Sequence, residues 1–492
     1  MILFGWAETD ITPKVKIALD GEFFERATTE VESPLTVTAL AIDADGDQSV
    51  LVSCDLVCVT SELVDVVRTK LTGIGLDPSK IIVGAIHSHN SYTYRRNSPV
   101  KHAGDVELSI LTKFKPDDCV YIPQVTSGDC LSSNDAFDYL ADAIAETVKH
   151  AWEARRPGGY ACGFGRAAIG MNRRVCYSDG TAKMWGDVDT ATFTELEAGN
   201  DSGIELLFTY DETGALSGVI ANIACPAQVM EQRSVISSDY WGKVKQMLRE
   251  KHGDGLFLLP LCSAAGDICP RDLIRWVEPE TPIKDPNVIR NNPKLRRADP
   301  SMFDRGGILK IGRRITNEIE MALEEVTEIT TEAVHSHTVE NLKLPLRRVT
   351  DAERDDAERK LNEFFKGRRE LDYNDSAALY VYAGTLERYA TQQKDNTVSA
   401  EIHSVRLGDV VFLNNPFELF LDYGNRIRAR SAAAQTFIIQ LANGSLGYLP
   451  TAKAEMGGHY SAYVSSGYVG HEGGELLVSR SLDLINDQFD AD

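Results

Sequence analysis

The sequence predicts an α/β protein with a mixed β-sheet core and surrounding helices. Three observations point there: β-branched apolar runs paired across turn signals, stretches with apolar residues at helical spacing, and alternation of the two to the carboxyl end. Residues 36–43 (TVTALAID) and 49–59 (SVLVSCDLVCV) flank DADGD and read as a hairpin in a buried sheet. Residues 62–71 place Leu63, Val66, Val67 and Leu71 on one helical face, and 80–86 (KIIVGAI) is a further buried strand. Between 135 and 152, Phe137, Leu140, Ile144, Val148 and Trp152 form the stripe of an amphipathic helix with an acidic start.

Residues 204–210 and 216–223 make a second hairpin around DETG. Residues 256–260 read as a short strand, and 308–323 as a helix with apolar residues at 308, 311, 315, 319 and 323. A charged helical pair at 350–366 and 376–392 reads as an insertion, and 402–413 and 437–441 return to strand character. Residues 278–305 hold five prolines beside several Arg and Lys, the composition of an ordered lid over a site. With no sequence repeat and no low-complexity linker, residues 1–492 read as one elaborated catalytic unit.

The 492 residues carry 51 Lys+Arg against 73 Asp+Glu, a formal charge of −22. An acidic balance disfavours nucleic acid and anionic membrane surfaces, which need a basic face, and leaves a small-molecule substrate as the expected partner. Apolar residues are 43% of the chain, enough for a large core. The start MILFGWAETDITP lacks the basic segment of a signal peptide, and the longest apolar stretch, 256–265, is half of what a bilayer span needs. Nine cysteines without a CxxC pair fit reduced thiols in the cytoplasm. Oligomeric state is not legible in the sequence.

The sharpest chemical feature is His87-Ser88-His89, directly after a buried strand. Alternate residues of an extended segment point the same way, so both imidazoles can serve one metal, or one metal and one base. His335 and His337 have the same spacing in an alternating polar stretch and read as solvated strand-face residues. Gly444, Gly447, Gly457 and Gly458 fit neither the Walker nor the dinucleotide pattern, and no GxSxG elbow occurs. Cys225 and Cys269 each follow an apolar run and precede proline; nucleophile, ligand and inert buried thiol all remain open for them. Asp55, at a strand end, reads as a site orienter or a cap.

Seven segments in order, GWAETDITP, VLVSCDLV, AIHSHNSY, GMNRRV with DVDTATFTELEA, AAGDICPRD, VRLGDVVFLNNPFELF, and GYLPT with GGHYSAY, resemble the neutral, non-lysosomal ceramidase family. That resemblance implies one zinc ion held by His87, Glu418 and Tyr448, with Cys225 standing where the family has its second histidine. It implies His89 as acid/base, Arg173 and Tyr460 on the amide carbonyl and its oxyanion, and Cys269 in place of a family serine. A thiolate in place of an imidazole would make the ion a poorer Lewis acid. The sequence shows neither the leader nor the carboxyl-terminal sandwich domain of the secreted family members, and Arg290, Lys294, Arg296 and Arg297 in the proline-rich stretch suit a polar substrate better than a lipid. The expectation is a metal-dependent hydrolase of an amide or related bond in a small polar molecule. A metal-assisted lyase on a sugar-type substrate and a non-catalytic ligand-binding relative with a decayed zinc site are the alternatives.

Overall fold

The structure, a computed structural model, describes residues 1–24, 26–96, 110–122, 129–275 and 304–490. Its largest sheet has eight strands: β1 (Ile2–Asp10), β2 (Thr36–Ala44), β3 (Asp47–Cys54), β4 (Ile81–Ala85), β5 (Arg156–Arg166), β6 (Gly203–Asp211), β7 (Leu216–Ile223) and β8 (Phe257–Cys262). Their order is β8-β7-β6-β5-β1-β2-β3-β4. β3 and β4 are parallel, as are β7 and β8, and all other neighbours are antiparallel.

Each parallel pair needs a crossover, which α1 (Ser61–Lys70) and α3 (Asp239–His252) supply. Helices α2 (Ser133–Glu153) and α4 (Asp304–Glu324) then follow β4 and β8. The chain therefore runs twice through one topology, three strands, a helix, a strand and a helix, about the antiparallel pair β1–β5. The repeat is in topology alone, since the sequence shows none.

Side-chain alternation along β2 sorts its two faces. Val37, Ala39 and Ala41 pack with Val67, Phe137 and Ile144 of α1 and α2. Leu40 and Ile42 pack instead with Leu207, Ile220, Leu259 and Leu261 from the other half. α3 and α4 close that half through Trp241, Val244, Ile311 and Ile315.

A second sheet, β9 (His335–Pro345), β10 (Thr397–Leu407), β11 (Val410–Asn414) and β12 (Gln435–Ile439), runs in the order β9-β10-β11-β12. The predicted strand at 402–413 is thus two strands, reversed at Gly408 with φ 59°. Val405, Phe412 and Phe437 of this sheet join the inner cluster of the first. Beyond β12 the chain pairs with β4 through Gly84 and Ala442, and the Gln440 amide donates to the Cys262 carbonyl at 3.0 Å. One short segment thereby ties the outer strands of both halves together.

The predicted helical pair is present as α5 (Asp351–Phe365) and α6 (Tyr373–Thr391), each opened by a capping box. It packs on residues 110–121 around its own cluster of Leu111, Leu361, Phe365 and Leu379. α7 (Leu421–Arg430), α8 (Ala452–Gly457) and α9 (His471–Asp490) complete the chain. The proline-rich stretch expected as a lid lies outside the described residues, apart from 304–305 at the start of α4. Among the described residues, no helix is long and apolar enough to cross a membrane.

The reading of His335 and His337 as solvated is corrected: both are buried. β9 lies against β3, so Ser49 Oγ stands 3.0 Å from His335 Nε2 and 2.9 Å from His337 Nδ1. His337 Nε2 meets His403 Nδ1 at 2.8 Å, and His403 Nε2 meets Glu401 at 2.7 Å. The polar alternation did mark a strand, but its histidine face is the one turned inward.

Candidate active site

His87 and His89 follow β4, where the chain pairs with the continuation of β7: the His89 amide donates to the Ala227 carbonyl at 3.2 Å. His87 takes a left-handed backbone, φ 62°, a strained state for a residue with a Cβ. That turn lets its Nδ1–H donate to the Val57 carbonyl at 2.7 Å, past the end of β3. A carbonyl can only accept, so His87 Nδ1 carries a hydrogen and Nε2 is the atom left to face the site. This Nε2 lies 3.5 Å from Glu418 Oε2 and 3.3 Å from His89 Nε2.

Glu418 and Tyr448 stand beside each other because Glu418–Leu419 and Tyr448–Leu449 form a two-residue parallel ladder. Gly266 packs flat against that ladder; a Cβ there would fall 2.3 Å from the Glu418 carbonyl oxygen. Burial pushes the Glu418 carboxyl up, but hydrogen bonds to His87 and Tyr448 and the Arg173 charge outweigh it and hold the group below its usual range. Burial pushes the Tyr448 and Tyr460 phenols well up, so both stay protonated donors.

Arg173 Nη2 donates to the Gly266 carbonyl at 3.0 Å and lies 3.4 Å from Tyr448 Oη, which is 3.2 Å from Tyr460 Oη. Arg174, its neighbour in sequence, turns away to Glu197 at 2.8 Å and to the carbonyls of Ala454, Gly458 and Tyr460. Arg173 thus faces the site, and Arg174 holds the loop that carries Tyr460. Asp267 joins these parts: its carboxylate accepts from the Leu421 amide and Asn172 Nδ2, both at 2.8 Å, and its carbonyl accepts the Arg173 amide.

The structure gathers His87, His89, Arg173, Glu418, Tyr448 and Tyr460 into one buried centre. Among the described residues, Cys225 forms no group of three His, Cys, Asp or Glu donors within 4.8 Å with them. Cys225 sits in an apolar cluster with Ile86, Ile169 and Ala227, its Sγ facing the Pro226 carbonyl at 3.6 Å. Burial, then the neighbouring Cys269 and Cys262, push its thiol far up. Cys269 is also fully buried, and burial pushes its thiol to about 12, too high for a ready nucleophile. Asp55 is a cap, accepting the Thr36 amide at 2.8 Å and hydroxyl at 2.9 Å.

Six residues enter that motif reasoning missed. Glu22 Oε1 and Glu231 Oε2 lie 3.4 and 3.5 Å from His89 Nδ1. Among the described residues this trio is the only His, Cys, Asp or Glu group of three whose donor atoms all lie within 4.8 Å of one another. Arg271 binds the other oxygen of Glu231, and Arg26 donates to the backbone carbonyls of Asp20, His89, Glu231 and Arg233. Phe23 stacks edge-on with Tyr460 at 5.5 Å and meets Tyr380 of α6 at 5.3 Å, so the helical pair reaches the rim of the site. A glycine before an acidic residue, Gly21-Glu22, was the one local signal available for this loop.

No family model matches the sequence, and no curated protein does. Solved structures do. Neutral ceramidase from Pseudomonas aeruginosa superposes with a TM-score of 0.65 at 17% identity, over 99% of this chain and 75% of that one. The fold is ceramidase-like. A ceramidase structure described as complexed with C2 gives the same TM-score at 16% identity, over 98% of this chain and 74% of the other. At such identities the likeness concerns the fold, and within that fold the centre described above lies where the ends of β3, β4 and β7 meet the Glu418–Tyr448 ladder.

Proposed function

We propose that this chain hydrolyses an amide or related bond in a small polar substrate. The observation that carries the reading is the row of donors, Arg173, Tyr448 and Tyr460, beside a pair of imidazoles touching through their Nε2 atoms. Acyl transfer to water needs both: fixed donors where the carbonyl oxygen gains charge, and a base that takes and returns a proton. Arg173 is buried, and its Nε–H has no partner among the described residues, so its charge remains available to an oxygen of the substrate.

His89 serves as the acid/base. Burial first, then the charges of His87 and Arg26, lower its pKa well below the ordinary value, so it is neutral at physiological pH. Its contact with His87 gives the proton a second resting place. Phe23, Tyr380 and Tyr460 wall the rim with rings, while Glu22, Glu231 and Arg173 keep the interior polar, which favours a polar molecule over a long acyl chain.

We read the zinc set implied by the family resemblance as open at Cys225, whose Sγ faces the Pro226 carbonyl and, among the described residues, forms no compact donor group with His87 and Glu418. A divalent cation, when bound at such a centre, supplies carbonyl polarisation and a more acidic water.

Incubating the purified protein with N-acylated amino acids and short-chain N-acyl amines in heavy-oxygen water tests the reading. Hydrolysis places one heavy oxygen in the released acid. An unsaturated product absorbing in the ultraviolet would mean elimination, and saturable binding of every substrate without turnover would mean a binding protein; either result sinks the proposal.

A further inference from the structure

We propose that this chain seats its divalent cation between Glu22, His89 and Glu231, one imidazole away from the position the ceramidase resemblance implies. The proposal takes from the hydrolase reading only the purpose of the ion; with Nδ1 on the ion, His89 is a ligand and the acid/base role passes to His87, whose Nε2 lies 3.3 Å from His89 Nε2. Its location follows from where donor atoms converge.

His87 Nδ1 donates to the Val57 carbonyl at 2.7 Å, so that imidazole turns only its Nε2 toward the site. His89 Nε2 meets it at 3.3 Å, so the other nitrogen of His89, Nδ1, is the one turned away from His87. It faces two carboxylate oxygens, at 3.4 Å on Glu22 and 3.5 Å on Glu231. One imidazole nitrogen and two carboxylate oxygens thus lie within 4.8 Å of one another, a compact donor set for a divalent cation.

The spacing agrees. Ordinary N–H···O bonds centre near 2.9 Å. Two ligand atoms each about 2.1 Å from one tetrahedral zinc ion stand about 3.4 Å apart. One imidazole and two carboxylates, with a fourth position left to water, is a donor set that Zn²⁺ accepts.

The surroundings are built to hold these three donors. Arg26 spends its guanidinium on the backbone of all three segments: the carbonyls of His89 and Glu231 themselves, that of Asp20, two residues before Glu22, and that of Arg233. Arg271 takes Glu231 Oε1 and so turns Oε2 toward His89. Gly21 has φ 93°, and a Cβ there would lie 2.8 Å from His89 Cγ, so the Glu22 loop can close on the imidazole only with glycine at 21. These are the orienting contacts expected around metal ligands.

The experiment is zinc titration of chelator-stripped full-length protein by calorimetry, with metal content by mass spectrometry. Wild type is expected to bind about one Zn²⁺ per chain; Glu22→Gln should weaken it by about 100-fold or more, and Cys225→Ala should leave it within about threefold. The proposal is overturned if Cys225→Ala loses the ion while Glu22→Gln keeps it, because the ion then belongs to the set around Glu418. It is equally overturned if wild type binds no zinc, because the three donors then hold a proton and no ion. Anomalous scattering from wild-type crystals grown with Zn²⁺ locates the ion without any variant, should Glu22→Gln fail to fold. Zinc at Glu22 in a protein without turnover would refute the hydrolase reading and leave the site standing; turnover by metal-free protein would do the reverse.

Discussion

At the scale of single residues, Tyr460 shows how much structure one hydroxyl requires. His459 and Ser461 on either side of it both have φ 71°, a left-handed conformation costly for residues with a Cβ. Arg174 holds this strained turn through the carbonyls of Gly458 and Tyr460. What the strain secures is a phenol 3.2 Å from Tyr448 Oη, kept protonated by burial and by the phenols of Tyr448 and Tyr380. Tyr460→Phe should therefore lower kcat by about 10²–10³-fold while leaving thermal stability nearly unchanged, as for loss of one oxyanion donor. Steady-state kinetics check this; a rise in KM at constant kcat would make Tyr460 a substrate-binding group instead. The histidines were legible in the sequence because alternate positions after a buried strand stand out against their surroundings; Tyr448, Tyr460, Arg173 and Glu418 were legible only through the family resemblance. Glu22 and Glu231 were not, because a loop carboxylate is ordinary until Arg26 ties two distant loops together. The orientation of the Cys225 thiol was equally hidden: it depends on the apolar packing of Ile86, Ile169 and Ala227, which no local pattern encodes.

At the scale of elements, both predicted hairpins, all five predicted helices and the strand before His87 are present with boundaries shifted by a few residues. The two strands at the centre of the main sheet went unread. β1 and β5 look unlike strands because they contain Gly5, Gly158, Gly159, Gly163 and Gly165. Those glycines answer to packing: a Cβ on Gly5 would fall 2.0 Å from the Ala151 carbonyl of α2, and one on Gly163 would fall 2.7 Å from the Phe208 ring. β1 also carries a testable charge. Glu8 accepts from Lys245 Nζ at 2.8 Å and Arg249 Nη2 at 3.1 Å, both on α3, so the contact joins the two topological repeats. Burial raises the Glu8 pKa, but Lys245 and Arg249 outweigh it and hold the folded value below 4.5. A depressed carboxyl stabilises the fold above its unfolded pKa and loses that contribution as pH falls through the folded one. Glu8→Gln should thus cost about 1–2 kcal/mol at neutral pH, and the difference from wild type should vanish by about pH 3. Urea midpoints at the two pH values measure it; an equal shift at both would remove the ion pair as the cause.

At the scale of the whole molecule, the site exists only because three units meet. His87 and His89 come from the first topological repeat, Arg173 and Glu231 from the second, and Glu418, Tyr448 and Tyr460 from the chain around the second sheet. The segment 440–443 is the joint between them. Gln440 reaches the end of β8, and its Oε1 accepts the amides of Ala265 and Leu419 at 3.0 and 3.1 Å, linking β8 to the Glu418 ladder. Asn443 reaches β4: its Oδ1 accepts the Val83 amide at 2.8 Å, and its Nδ2 donates to the Ile81 carbonyl at 3.1 Å and to Glu401 at 2.9 Å. Its φ of 55° suits asparagine better than most residues, so side chain and backbone agree on this one residue type. Asn443→Ala removes three buried hydrogen bonds at about 1 kcal/mol each and places a Cβ-bearing residue without local hydrogen bonding in the left-handed region, a loss of about 3–4 kcal/mol in all. Wild type should unfold in urea with coincident tryptophan fluorescence and far-ultraviolet circular dichroism, since both halves share one inner cluster. In Asn443→Ala the first event should be loss of activity, at a urea concentration below the dichroism midpoint, because the Glu418–Tyr448 ladder separates from His87 before the main sheet melts. A variant that keeps wild-type midpoints, or loses activity and dichroism together, would show that the outer strands are held by something other than this joint.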